Sequence, residues 1–140
     1  MSRVQIALNV NDVEAAVAFY SKLFGTEPVK YRPGYANFAV AEPPLKLVLI
    51  ENPSQAGTMN HLGVEVETSA EVVKSGDRLK QAGLETKTEE QVTCCYAVQD
   101  KVWVTDPDGA PWEIYTVLND SKIPYSGVRV EESAKACPQC

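Results

Sequence analysis

The chain carries one histidine, His61, and four cysteines in two close pairs, Cys94-Cys95 and Cys137-Pro138-Gln139-Cys140. Reduced cysteines spaced this closely point to metal or redox chemistry more often than to structural bridges. Neighbouring side chains on a regular strand face opposite ways. Cys94 and Cys95 can therefore hold one ligand only where the backbone is irregular, and the polar run 86–92 before them reads as such a loop. The alternatives are two inert buried thiols or a strained vicinal disulfide. The terminal pair has metal-ligand spacing but stands alone at a chain end; it either captures a soft metal or is idle. His61 gains interest from a repeat. Gln5-Ile-Ala-Leu-Asn-Val-Asn aligns without a gap on His61-Leu-Gly-Val-Glu-Val-Glu, so Gln5 superposes on the lone histidine. Strand alternation puts Glu113 on the face of Tyr115 and Val117, where an ionised carboxylate is costly unless paired or metal-bound.

The elements that must position these groups repeat as well. Each of the two aligned runs is aliphatic and β-branched, as a strand requires, and each leads into a helix. The first helix opens on a capping box, Asn11 with Glu14, carries Val13, Ala16, Val17, Tyr20 and Phe24 at helical spacing, and closes at Gly25. The second opens on Thr68-Ser69-Ala70-Glu71 and ends near Ala82-Gly83, weakened by the interior Gly76. Three strand-like runs follow each helix: 28–31, 35–41 and 45–51, then 84–88, 96–105 and 112–118. Proline- and glycine-rich breakers separate them. The chain thus reads as α+β, two βαβββ modules spanning about 3–52 and 60–118 in one domain over 1–118, with 119–140 as a polar, cysteine-containing flexible tail.

Composition bounds the rest. A length of 140 residues with 44% hydrophobic content suits one packed domain that needs no disulfide. The net charge of −6, with no cluster of Lys and Arg, argues against nucleic acid. Neither a signal peptide nor a membrane-spanning run is visible, which points to a cytoplasmic protein with reduced cysteines and no membrane partner. Two modules in one chain complete a site alone, so no oligomer is required.

Against this background the sequence resembles the glyoxalase, bleomycin-resistance and extradiol-dioxygenase superfamily, the vicinal oxygen chelate class. The likeness is carried by Asn9-Val10-Asn11-Asp12, Ala18-Phe19-Tyr20, Asn60-His61-Leu62-Gly63 and Trp103-Val104-Thr105-Asp106-Pro107-Asp108-Gly109 with Trp112-Glu113. It implies that the modules curl into a mixed sheet around a metal held by Gln5, His61 and Glu113. The fourth position of four-ligand members falls on Lys46, which is no ligand, so coordination positions stay open for water, oxygen or substrate. One nitrogen and two oxygen donors suit Fe(II), with Mn, Ni, Co, Zn or Cd as alternatives.

Within the superfamily, Gly34-Tyr35-Ala36-Asn37-Phe38-Ala39, Thr93-Cys94-Cys95 and Gln99-Asp100-Lys101-Val102-Trp103-Val104 are similar to the organoarsenical C–As lyases and the cadmium-induced proteins. That resemblance implies Cys94 and Cys95 as the arsenic-binding pair and O2 with a small organoarsenical as reactants; Cys137 and Cys140 are an accessory soft-metal pair on their spacing alone. As(III) is soft and bonds thiolates, whereas the Gln/His/Glu group prefers a harder ion. The implied activity is Fe(II)- and oxygen-dependent cleavage of the carbon–arsenic bond. The rivals are a soft-metal binding protein without catalysis and a glyoxalase-type isomerase or transferase. A drug-binding module would need no metal ligands and fits least.

Overall fold

The computed structural model describes residues 2–123; Cys137 and Cys140 lie outside them. The chain runs β1 (Arg3–Val10), α1 (Val13–Phe24), β2 (Lys30–Arg32), β3 (Tyr35–Val40), β4 (Leu45–Glu51), a 3-10 turn (Pro53–Gln55), β5 (Met59–Glu65), α2 (Ser69–Gln81), β6 (Lys87–Cys94), β7 (Ala97–Thr105) and β8 (Pro111–Asp120). All eight strands join one mixed sheet in the order β2-β3-β4-β1-β5-β8-β7-β6. The order is a mirrored repeat. β1 pairs parallel with β4 and β5 parallel with β8, and the two modules meet where β1 and β5 run antiparallel.

Alternation along the strands divides the core. On one face Val13 and Val17 of α1 pack on Ala36, Phe38, Leu47 and Leu49, flanked by Ile6 and Leu8. The opposite parity, Ala7, Tyr35, Val48 and Ile50, turns inward with Cys94 and Tyr96. Full burial of each large apolar side chain contributes about 1.5–3 kcal/mol, which fixes the register and with it the inward direction of Gln5, Ala7 and Asn9.

Local signals set most boundaries. Thr68 caps α2 by accepting the Glu71 N–H, as the capping box requires, and Gly25 ends α1 in the left-handed conformation. Three expectations change. The cap of α1 is Asp12, not Asn11, because the Asp12 carboxylate accepts the Glu14 N–H. Residues 86–92 are largely strand, not loop: β6 pairs with β7 and absorbs its irregularity in a bulge between Glu89 and Val92. β8 also runs two residues past 118, since Asn119 and Asp120 pair with Val98 and Ala97 and the Asp120 carboxylate meets Lys30. Among the described residues no helix is long and apolar enough to cross a membrane.

Candidate metal centre

One row of the sheet builds the site. Lys46, Gln5, Gly63, Glu113 and Trp103 are successive cross-strand partners on β4, β1, β5, β8 and β7. Gly63 has no side chain, so Gln5 and Glu113 meet over it: Gln5 Nε2 donates to Glu113 Oε2 at 2.7 Å. A Cβ at residue 63 would lie 2.8 Å from Glu113 Cγ, 2.9 Å from Glu113 O and 3.1 Å from Gln5 Nε2. His61, two residues before Gly63, shares its face and brings Nε2 to 3.0 Å from Glu113 Oε2 and 3.4 Å from Gln5 Nε2. All three side chains are buried.

A hydrogen-bond chain fixes the histidine tautomer. Thr58 Oγ1 donates to Gln55 O, and so accepts from Asn9 Nδ2. Asn9 Oδ1 then accepts from Asn60 Nδ2, which leaves Asn60 Oδ1 as the acceptor 2.7 Å from His61 Nδ1. Nδ1 therefore carries the proton and Nε2 presents a lone pair to Glu113. Two lone pairs 3.0 Å apart repel unless a proton or a cation lies between them. The spacings 2.7, 3.0 and 3.4 Å also match a coordination polyhedron, since two donors at bond lengths of about 2.1 Å and a right angle are about 3.0 Å apart. Gln5 enters such a set through its oxygen. A half-turn of the amide exchanges the atoms, and the Tyr115 hydroxyl, 2.6 Å from Gln5 Oε1, can either donate or accept.

Glu113 is the electrostatic centre. Burial raises its carboxyl pKa, but the charge of the neighbouring Lys101 outweighs burial and holds it at about 2. Lys101 is fully buried, with Nζ 2.8 Å from Glu113 Oε1. The pair lacks the alignment of a directed bond, so both atoms keep unused hydrogen-bonding capacity. Burial, reinforced by Glu113, pushes the Tyr115 hydroxyl well above its ordinary pKa and keeps it protonated. Among the described residues no three of His, Cys, Asp and Glu converge; the trio reaches three donors through the amide of Gln5.

Cys94 and Cys95 sit at the β6–β7 hairpin. Cys94 pairs with Ala97, leaving Cys95 and Tyr96 as a two-residue loop with φ of 53° and 63°. Positive φ at both positions is the type I′ requirement that Asn-Gly usually meets. For side chains with a Cβ it costs about 1–2 kcal/mol each. The irregular backbone that adjacent cysteines need is thus this turn, and Cys94 Sγ and Cys95 Sγ come 3.4 Å apart, beyond bonding distance to one another. Module one clasps the turn: Lys30 donates to Tyr96 O at 2.8 Å and the Tyr35 ring packs on Tyr96 at 5.4 Å. Cys95 lines the same cavity, of about 210 Å³, as Gln5, His61 and Glu113.

The expected trio and Cys95 of the expected cysteine pair therefore face one space, with Cys94 buried behind it in the core cluster. Sequence reasoning missed Lys101, Gly63 and the Asn9–Asn60 chain. The signal for Gly63 was its place two residues after His61, opposite Gln5 in the repeat's own pairing; a lone lysine among strand residues carried none.

A two-module mixed sheet with donors on its central strands defines the glyoxalase-like fold. The chain matches the model of the Glyoxalase/Bleomycin resistance protein/Dioxygenase superfamily over residues 3–114 and belongs to that superfamily. It is 60% identical over 134 residues to the cadmium-induced protein CadI of Mycobacterium tuberculosis, covering 96% of this chain and 88% of the relative. It is 64% identical over 122 residues to a trivalent organoarsenical cleaving enzyme of Thermomonospora curvata, covering 86% and 81%. Among solved structures, the Mn(II)-bound glyoxalase of Novosphingobium aromaticivorans shares the fold with a TM-score of 0.59 at 20% identity, over 95% of this chain and 44% of that one.

Proposed function

We propose that the protein cleaves the carbon–arsenic bond of trivalent organoarsenicals, using Fe(II) held by Gln5, His61 and Glu113 and an arsenical held by Cys94 and Cys95. The observation that carries the reading is the shared cavity: Cys95 and all three donors line it, so a soft-bonded substrate and a harder metal are held close but apart. At a thiolate–metal bond length of about 2.3 Å, sulfurs 3.4 Å apart subtend about 95° at the bound atom, a pyramidal angle that suits a trivalent centre. The name of the Thermomonospora curvata relative supports the substrate class. A bound Fe(II) supplies dioxygen activation; the chain supplies the rest. Asn60 holds the His61 tautomer, Lys101 balances the Glu113 charge, and the hairpin turn presents the two sulfurs, which bind arsenic once reduced to thiolates. For methylarsenite the balance is one substrate and one dioxygen to one arsenite and one formaldehyde, with arsenic staying trivalent while carbon is oxidised.

The test is anaerobic loading with Fe(II), addition of methylarsenite in the presence of a thiol reductant, and arsenic speciation with and without oxygen. Arsenite is expected only with both iron and oxygen. The second reading, soft-metal sequestration without turnover, is favoured by the likeness to the cadmium-induced protein. In that case methylarsenite or Cd(II) binds stoichiometrically and no arsenite forms under either condition.

A further inference from the structure

The cavity beside the trio has one cation too many. Arg3 is held by Glu65 at 2.8 Å, Lys30 by Asp120 and by the Tyr96 carbonyl, and Lys101 by Glu113 at 2.8 Å. Lys46, on β4 directly beside Gln5, lines the cavity and is partly buried, yet makes no hydrogen bond or ion pair with any described residue. Its ammonium lies over the Tyr115 ring, 5.2 Å from the centroid. The two carboxylates that line the cavity, Glu65 and Glu113, already have cations of their own. A chain of net charge −6 thus keeps an uncompensated positive charge in a pocket that is otherwise charge-balanced. A partly dehydrated ammonium without a counter-ion is unfavourable, and burial accordingly draws the Lys46 pKa down, against the opposing pull of Glu65. A divalent ion in the trio would add to the imbalance.

We infer that Lys46 makes this cavity a binding site for a small organic oxyanion, a carboxylate or an acid of similar shape, seated beside the metal-binding trio. The space suffices: an apolar cavity of about 150 Å³ holds benzene, and this one is about 210 Å³. On the reading of function above, on which this extension alone rests, the anion is an acidic group on the arsenical's organic arm. A free carboxylate that binds next to substrate has the same chemistry.

The probe is benzoate, titrated into the metal-free protein and followed by amide NMR shifts, with benzyl alcohol as the uncharged control. Wild type is expected to bind benzoate saturably, Lys46→Arg within threefold of it, and Lys46→Met and Lys46→Gln at least tenfold more weakly, while benzyl alcohol responds equally in all four. Equal benzoate affinity in the Met and Gln variants, or no saturable binding in wild type, overturns the site. A second arm separates the sources. If the acid belongs to substrate, 3-carboxyphenylarsenite is captured more tightly than phenylarsenite by wild type but not by Lys46→Met. If only benzoate depends on Lys46, the anion is a free co-ligand. Benzoate binding with capture of neither arsenical would retain the Lys46 site and refute the lyase reading instead.

Discussion

Replacing Lys101 by methionine isolates the charge that holds Glu113. The fall of the Glu113 carboxyl from 4.5 to about 2 corresponds to about 3 kcal/mol. Removing one member of a buried pair costs about 3–5 kcal/mol. For 140 residues, an unfolding entropy of about 2.1 cal/mol/K per residue turns 4 kcal/mol into a Tm loss of about 14 °C. The expected result in EDTA is therefore a Tm lower by about 10–17 °C. The sign with pH follows from the depressed value. In wild type the Glu113 contribution is complete above about pH 4.5 and is lost as pH falls towards 2. Lys101→Met, whose carboxyl is left to burial, lacks most of that acid-dependent loss. A divalent ion changes the outcome, because it supplies the missing cation without competing with an ammonium 2.8 Å from the same carboxylate. Lys101→Met should bind Mn(II) or Zn(II) at least tenfold more tightly than wild type and recover most of its Tm on loading. Differential scanning calorimetry with and without metal, at pH 3 and pH 7, is the assay. An unchanged Tm in EDTA, or a loss that metal leaves in place, would refute the charge balance assigned to this pair.

Two glycines are expected to respond oppositely to alanine. Gly63→Ala pushes a methyl group against Glu113 and Gln5 and should cost more than about 2 kcal/mol with loss of tight metal binding, whereas Gly76→Ala meets only Val102 at 3.7 Å and should stabilise by about 0.5–1 kcal/mol in urea unfolding. Asn60→Leu frees the His61 tautomer and should weaken metal binding about 10–100-fold by chelator competition, with the fold intact by circular dichroism. His61→Ala and Glu113→Ala should each abolish tight binding of one Fe(II), and Gln5→Ala should hurt less, since a neutral amide is the weakest donor of the three.

Much of this architecture is legible in the sequence because local chemistry and tertiary packing agree. Thr68 with Glu71 marks the true start of α2, and the superposition of Gln5 on His61 finds two inward positions of adjacent central strands. What escapes are features set across strands. The run 86–92 is polar because β6 is an edge strand exposed on both faces over most of this stretch, and that polarity imitates a loop. Asn11 and Asp12 are both competent caps, so only the backbone decides between them. Lys101 looks like an ordinary exposed strand lysine until β7 is laid beside β8, which brings Glu113 to its ammonium. The lone cation at Lys46 becomes visible only once the other cations around the cavity, Arg3, Lys30 and Lys101, have found their partners.

The central claim is that two separable sites, one for metal and one for arsenic, face one cavity. It is tested most directly by measuring Fe(II) binding and methylarsenite turnover on the same preparations of Cys94→Ser, Cys95→Ser and the double variant. Serine oxygen is too hard a donor, and its proton too tightly held, to replace a thiolate on As(III). The expected result is loss of arsenite production with Fe(II) affinity unchanged. Full lyase activity in the double variant, or loss of iron binding together with turnover, would contradict the claim.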